Sequence, residues 1–479
     1  MKISFANSTR AFLGAILFFV AAISASYAKD LDLGALKAAA ETGDPAAQRE
    51  LGEALLFGID GVEQDKVTGL QLLEQSAAGG DVAAKASFGK ALLDGHYLPA
   101  NHEKGAQMLE EAAAAGSPRA QVTLGVALLW GTHLEADPLR ARSLLGQAAG
   151  NGDPEALRIL GEQLIGGWVF DRDVASGRLM LEKAVVAGDA KAKVVLGLFL
   201  LDGAHLEQDS ARALALFEEA ALSGNGEGLE RYGKMLMWSE RDPVAAESYL
   251  RRAGELGSGS AWTTLAEGAM YGYLGRRSRA KFDGFSENAR IAGDDRIEVL
   301  EAERQMWGIS MRASGPRTIE GLEQAAEAGN KVALKYLISL VRNGNRLNIR
   351  QNPEQAKAYL EQFSDLLTPT EIAQFSMTIE VAKMRNTKVY KALAADFDRH
   401  PELKSVWYGK ELYAANPNFA IYLLQVDMKR NGVYAGALNG LATRSTLHAI
   451  WGECQTIREK SQCGDTVLHP DVIGELLAR

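Results

Sequence analysis

The feature that most constrains this chain is a glycine that returns at nearly constant intervals. It stands at Gly43, Gly80, Gly116, Gly152, Gly188, Gly224, Gly257, Gly293 and Gly329, at spacings of 37, 36, 36, 36, 36, 33, 36 and 36 residues. A second landmark keeps step with it, as Leu51-Gly52, Phe88-Gly89, Leu124-Gly125, Leu160-Gly161, Leu196-Gly197 and Tyr232-Gly233. A period held this tightly demands units that stack in a line, each completing its neighbour's core.

One copy shows what the unit must be. Gly152 is placed to end one helix in the left-handed conformation, Asp153 to cap the next, and Pro154 to open it where no N–H is needed. Ala156, Leu157, Leu160 and Leu164 then make a helical apolar stripe. Gly161, without a Cβ, admits a close neighbouring helix. Gly167 ends the first helix, Asp173 caps the second, and Leu179, Leu181 and Ala184–Ala187 lead back to Gly188. The unit is a helix–turn–helix hairpin, and the fold class is all-α, an α-solenoid.

The N-terminus reads as a targeting segment. Lys2 and Arg10 form a positive region ahead of an apolar run of 13 residues from Ala11 to Ile23, and Ser26-Tyr27-Ala28 offers small residues for cleavage. Thirteen residues are too few to span a membrane, and no cysteine follows the run. The expectation is a signal peptide over 1–28, a periplasmic protein starting near Lys29, and no integral membrane anchor. Removing Lys2 and Arg10 takes the net charge from −9 to −11, which argues against nucleic acid as a partner. The two cysteines, Cys454 and Cys463, read as one disulfide closing a short loop in an oxidising compartment.

The glycine-centred pattern resembles the Sel1-like repeat family, relatives of tetratricopeptide repeats. It is plainest in Ala40–Gly58, Ala187–Gly203 and Ala328–Gly344, covers about Leu33 to Asp365, and fades where Glu301-Ala302 replaces the Leu-Gly pair. About nine repeats are expected over 29–365. The resemblance implies adaptor work on envelope proteins. Some secreted members scaffold exopolysaccharide synthesis or export, and others restrain envelope sensor kinases.

No motif for an enzyme stands out. The chain has no G-x-x-x-x-G-K-[ST] loop, no G-x-S-x-G and no H-E-x-x-H. His133 and His205 lie two repeats apart, too far to share an ion. The expectation is a binding protein with no cofactor and no metal. Its candidate surfaces are two. The loops joining the helices of each repeat are acidic early (Asp60, Glu63, Asp65; Glu135, Asp137; Asp171, Asp173; Glu207, Asp209). Later they turn basic: Arg276, Arg277, Arg279 and Lys281, then Arg312 and Arg317, then Arg342, Arg346 and Arg350. Such a basic docking edge would suit an acidic partner or an anionic polysaccharide; solvated loops and helix caps are the plainer explanation. The second surface is the concave one, where Trp130, Trp168, Trp238, Tyr271 and Trp307 fall near the ends of first helices. They are candidate anchors for a partner, weighed against packing between repeats.

Beyond Asp365 the register is lost. A helical extension is expected over 366–415, opening with Thr368-Pro-Thr-Glu, and a further segment over 416–479. Leu424, Gln425, Met428, Gly432, Tyr434, Gly436, Asn439, Gly440, Thr443 and Thr446 resemble the first half of a peptidoglycan-binding-type module. That resemblance implies cell-wall contacts at Tyr434, Asn439 and Thr443. The alternative is a disulfide-locked helical cap over the last hairpin.

Overall fold

The computed structural model describes residues 33–59, 62–384, 387–457, 463 and 466–479. The expected signal segment and the loop acid at position 60 lie outside the described residues. Among the described residues every regular element is helical: 25 α-helices and three short 3-10 turns, with no strand. The chain divides into two compact units, one ending at Asp209 and one beginning at Ser210.

The first unit opens with α1 (Leu33–Glu41). Four helix pairs follow: α2 (Pro45–Phe57) with α3 (Lys66–Ala78), α4 (Val82–Asp94) with α5 (His102–Ala114), α6 (Pro118–Trp130) with α7 (Pro138–Gly150), and α8 (Pro154–Gly166) with α9 (Val174–Val186). It closes with α10 (Ala190–Asp202). The second unit opens with α11 (Ser210–Leu222). Its pairs are α12 (Gly226–Trp238) with α13 (Pro243–Glu255), α14 (Gly259–Tyr271) with α15 (Arg279–Ile291), α16 (Arg296–Trp307) with α17 (Gly315–Glu327), and α18 (Lys331–Asn343) with α19 (Pro353–Gln362). The C-terminal helices are α20 (Pro369–Lys383), α21 (Tyr390–Arg399), α22 (Val406–Ala415), α23 (Pro417–Arg430), α24 (Arg444–Cys454) and α25 (Pro470–Leu477).

The local chemistry of each repeat is the one its residues dictate. Gly152 sits at φ +82°, and the Asp153 carboxylate accepts the Ala156 N–H at 2.8 Å. Gly167, at φ +67°, donates its N–H to the Gln163 carbonyl at 2.8 Å, and Asp173 accepts the Ser176 N–H at 3.0 Å. At Gly161 a Cβ would meet the Gly177 carbonyl at 2.8 Å and Leu181 Cγ at 2.9 Å. The α8 and α9 backbones therefore touch with no side chain between them. Alanines and leucines such as Leu145, Ala148, Ala156 and Leu160 fill the space between successive pairs.

The pair α16/α17 departs from the pattern. Its Ala302 takes the position of Gly161; Asp294, in the place of Asp153, accepts the Arg296 N–H at 3.2 Å, and Asp295 makes no cap bond. Arg304 fills the helix interface, buried over the Phe282 ring at 4.3 Å and paired with Asp283 at 2.8 Å.

Thr368 opens α20 with a capping box, exchanging hydrogen bonds with Glu371. One apolar core then runs through Met377, Tyr408, Phe419, Ile450 and Val472, so the expected extension and the segment after residue 416 pack as one body. The Cys454–Cys463 disulfide is formed, with both cysteines buried in that core. Arg342 corrects the sequence reading. It is not a loop charge: it lies in α18 with its side chain fully buried. The reason is its partners, Glu411 of α22 at 2.7 Å and the Thr378 hydroxyl of α20 at 2.6 Å.

Candidate functional site

The aromatic candidates occupy recurring places. In the first unit Trp130 is the last residue of α6 and is 54% exposed; Trp168 follows the end of α8, lies across Gly166, and is 59% exposed. In the second unit Trp238, Tyr271 and Trp307 are the last residues of α12, α14 and α16. Trp238 and Trp307 are 42% and 50% exposed, whereas Tyr271 is half-buried against Tyr273. The register is shared: Trp130, Tyr271 and Trp307 precede the left-handed glycines Gly131, Gly272 and Gly308, and Trp238 precedes Ser239, which stays right-handed.

Next to this row lies a feature the sequence reading missed. Four residues before the ends of α14 and α16 stand Glu267 and Glu303, half-buried on equivalent positions of neighbouring first helices. Burial holds the Glu267 carboxyl above its usual range, against the pull of Lys234 and Arg296. Burial, and then the Glu267 charge, raises Glu303, whose carboxylate accepts the Tyr336 hydroxyl at 3.5 Å. Burial and these two carboxylates raise Tyr271 as well. A spacing of 36 between two glutamates was the available signal. The other missed row is apolar: Leu222, Leu256 and Ile291, at the ends of second helices in this unit, are all more than 60% exposed.

The basic candidates lie on the second unit's loops and first turns. Arg276, Arg277, Arg279, Lys281, Arg312, Arg317, Arg346 and Arg350 are all exposed. Two of them are partly neutralised: Lys281 pairs with Glu247 at 2.7 Å and Arg279 with Asp283 at 3.5 Å. The early acidic loops, in the first unit, owe part of their charge to capping. Asp65, Asp137 and Asp173 each accept the first N–H groups of the following helix.

The C-terminal motif is an internal knot. Gln425 is fully buried; its carbonyl accepts the N–H groups of Asn439 and Gly440 at 3.0 and 2.8 Å, and its amide reaches the Leu441 carbonyl and the Thr446 hydroxyl, both at 3.1 Å. Tyr434 corrects the expectation of a wall contact: it is buried, and its hydroxyl donates to the Ala437 carbonyl at 3.0 Å. Its ring covers Gly436, where a Cβ would meet the hydroxyl at 2.4 Å. The Asn439 side chain accepts the Leu441 N–H at 2.9 Å, and Thr443 caps α24 by accepting the Thr446 N–H at 3.3 Å. The motif's polar atoms thus serve the segment's own fold.

Comparison with known proteins fits this architecture. Residues 45–81, 84–117, 118–153, 190–225, 227–258 and 336–366 match the Sel1 repeat family. These stretches are Sel1 repeats. Residues 154–189 and 259–335 lie outside the matches, yet they form helix pairs of the same kind as the Sel1 repeats beside them. Among solved structures, a Sel1 repeat protein from Oxalobacter formigenes is 25% identical, covering 64% of this chain and 90% of that one, with a TM-score of 0.42. A protective antigen of uropathogenic Escherichia coli with an SLR fold is 18% identical over 85% of this chain and 98% of its own, with a TM-score of 0.34. An immunity protein from Pseudomonas aeruginosa is 16% identical over 44% and 83%, with a TM-score of 0.33. No curated protein matches the sequence. Sel1 repeats generally mediate protein–protein interactions, and among the described residues no helix is long and apolar enough to cross a membrane.

Proposed function

We propose that this protein is a periplasmic scaffold for envelope proteins and not an enzyme, with exopolysaccharide production or export, or its regulation through an envelope sensor, as its setting. The observation that carries the reading is the set of half-exposed tryptophans at first-helix ends: Trp130 and Trp168 in one unit, Trp238 and Trp307 in the other. Large rings held by rigid helices, with half their surface in water, are what binding hot spots are made of. The periplasmic part rests on the N-terminal segment and on the buried Cys454–Cys463 disulfide, a bond that persists in oxidising compartments.

Quantitative pull-down from envelope extracts tests it. A scaffold retains a defined envelope protein, and Trp130→Ala/Trp168→Ala or Trp238→Ala/Trp307→Ala releases it. Retention of isolated cell wall instead, abolished by changes confined to residues 416–479, would favour a peptidoglycan-associated protein.

A further inference from the structure

The loop joining α18 to α19 and the start of α23 enclose a cleft of about 990 Å³ within the second unit. Its charge is one-sided. Arg346 and Arg350 line it, among the described residues no aspartate or glutamate does, and neither arginine makes an ion pair with a described residue. Other cations in this unit, such as Lys281, Arg290, Lys331, Lys335 and Lys383, are held by carboxylates.

The arginines stand on a fixed loop. The Asn345 side-chain carbonyl accepts the N–H groups of Leu347, Asn348 and Ile349 at 3.0, 3.0 and 2.9 Å. The Asn348 amide in turn donates to the Met306 carbonyl at 2.9 Å, tying the loop to the preceding repeat. The ordering of the loop is therefore complete before any ligand arrives, which lowers the entropic cost of binding. The facing wall is the N-terminal turn of α23, the positive end of that helix. Gln351 on one wall and Asn418 on the other have amide side chains that bond to no described residue.

We propose that this cleft binds an acidic peptide segment of a protein partner, its carboxylates on Arg346 and Arg350 and its backbone on the Gln351 and Asn418 amides. The inference rests on the scaffold reading and names its partner's chemistry. The volume is at the upper end of ligand pockets, about 300–1,000 Å³, and exceeds what a lone inorganic anion fills. A polysaccharide is disfavoured because Tyr390, the one aromatic ring among the described lining residues, is buried and donates its hydroxyl to the Asn416 side chain at 3.3 Å, leaving no platform for a sugar.

Fluorescence anisotropy of labelled hexaglutamate with the purified full chain tests the cleft. Saturable binding is expected, with no binding of hexaglutamine. Two solvent-exposed charge pairs of ordinary strength together amount to about a tenfold loss of affinity in Arg346→Gln/Arg350→Gln. Lys183→Gln/Lys191→Gln, in the first unit, should leave binding unchanged, and thermal unfolding of both variants should match the parent. No saturable binding, an equal loss in both double variants, or tighter competition by oligogalacturonate or inorganic phosphate than by unlabelled hexaglutamate would overturn the proposal. An envelope partner retained equally by Arg346→Gln/Arg350→Gln would remove the cleft and leave the scaffold standing. Failure to retain any partner, with hexaglutamate still bound, would remove the scaffold alone.

Discussion

The Arg342 guanidinium lies 2.7 Å from the Glu411 carboxylate, across 69 residues of sequence, and joins the last repeat to the C-terminal helices. The same carboxylate accepts the Ser339 hydroxyl at 2.7 Å, and Arg342 also donates to Thr378 at 2.6 Å and to the Asn343 side chain at 2.9 Å. Three helices, α18, α20 and α22, thus share one polar centre inside an otherwise apolar junction.

Removing either partner of this pair strands the other. Arg342 is fully buried, whereas Glu411 keeps some contact with water. Glu411→Gln, which leaves the buried cation, should therefore cost more than Arg342→Met. Breaking a buried pair costs about 3–5 kcal/mol, and we expect Glu411→Gln in that range and Arg342→Met below it. Amide hydrogen exchange in α18, α20 and α22 reads the loss locally. Unchanged protection in both variants would show that the pair does not hold the junction.

The junction should also weaken in acid. Burial opposes the Glu371 charge, but hydrogen bonds from Lys331, the Thr368 backbone and Lys335 outweigh it and bring its pKa from 4.5 to about 2. A depressed carboxylate contributes stability that is complete above the unfolded value. That contribution should fade as pH falls from 4.5 towards 2. Denaturant midpoints of the parent and of Glu371→Gln should converge across this window and differ above it.

At Gly161 the expectation is steric. A Cβ there meets the Gly177 carbonyl at 2.8 Å, so Gly161→Val must push α8 and α9 apart. Overpacking of this kind costs about 1–3 kcal/mol. Gly146, with no atom near its missing Cβ, is the control: Gly146→Ala in the exposed part of α7 should stabilise by about 1 kcal/mol through helix propensity. Thermal unfolding of the two variants decides it.

In the C-terminal segment, Gln425→Leu would leave the Asn439 and Gly440 N–H groups without their acceptor. Each stranded buried donor costs about 1–3 kcal/mol. Cys454→Ser/Cys463→Ser frees a short loop, and chain entropy puts that loss at about 2–3 kcal/mol. Both variants should lower the same unfolding transition, because both sites belong to the core around Ile450 and Val472.

What the sequence made legible follows from periodicity. A glycine repeated every 36 residues, with Asp or Ser and Pro behind it, specifies a left-handed turn and a cap with no need of a distant partner, and Gly152, Asp153 and Asp173 behave so. Arg342 was misread because it adjoins Gly344 and a loop rich in arginine, while the carboxylate that buries it stands in a part of the chain without repeats. Tyr434 was misread for a different reason: Gly436 and Asn439, spaced as if to present a ligand surface, instead make room for the tyrosine ring and close the Gln425 knot. The Glu267–Glu303 row was visible in principle, but only its burial separates it from the many carboxylates that recur as caps.

The most direct test of the scaffold is cross-linking from its own aromatic positions. A photoreactive phenylalanine placed at Trp238 or Trp307, both in the second unit, should cross-link one and the same envelope protein in intact cells, whereas one placed at the exposed Val244 should not. Equal labelling from all three positions, or labelling of none, would contradict an interaction surface formed by these first-helix ends.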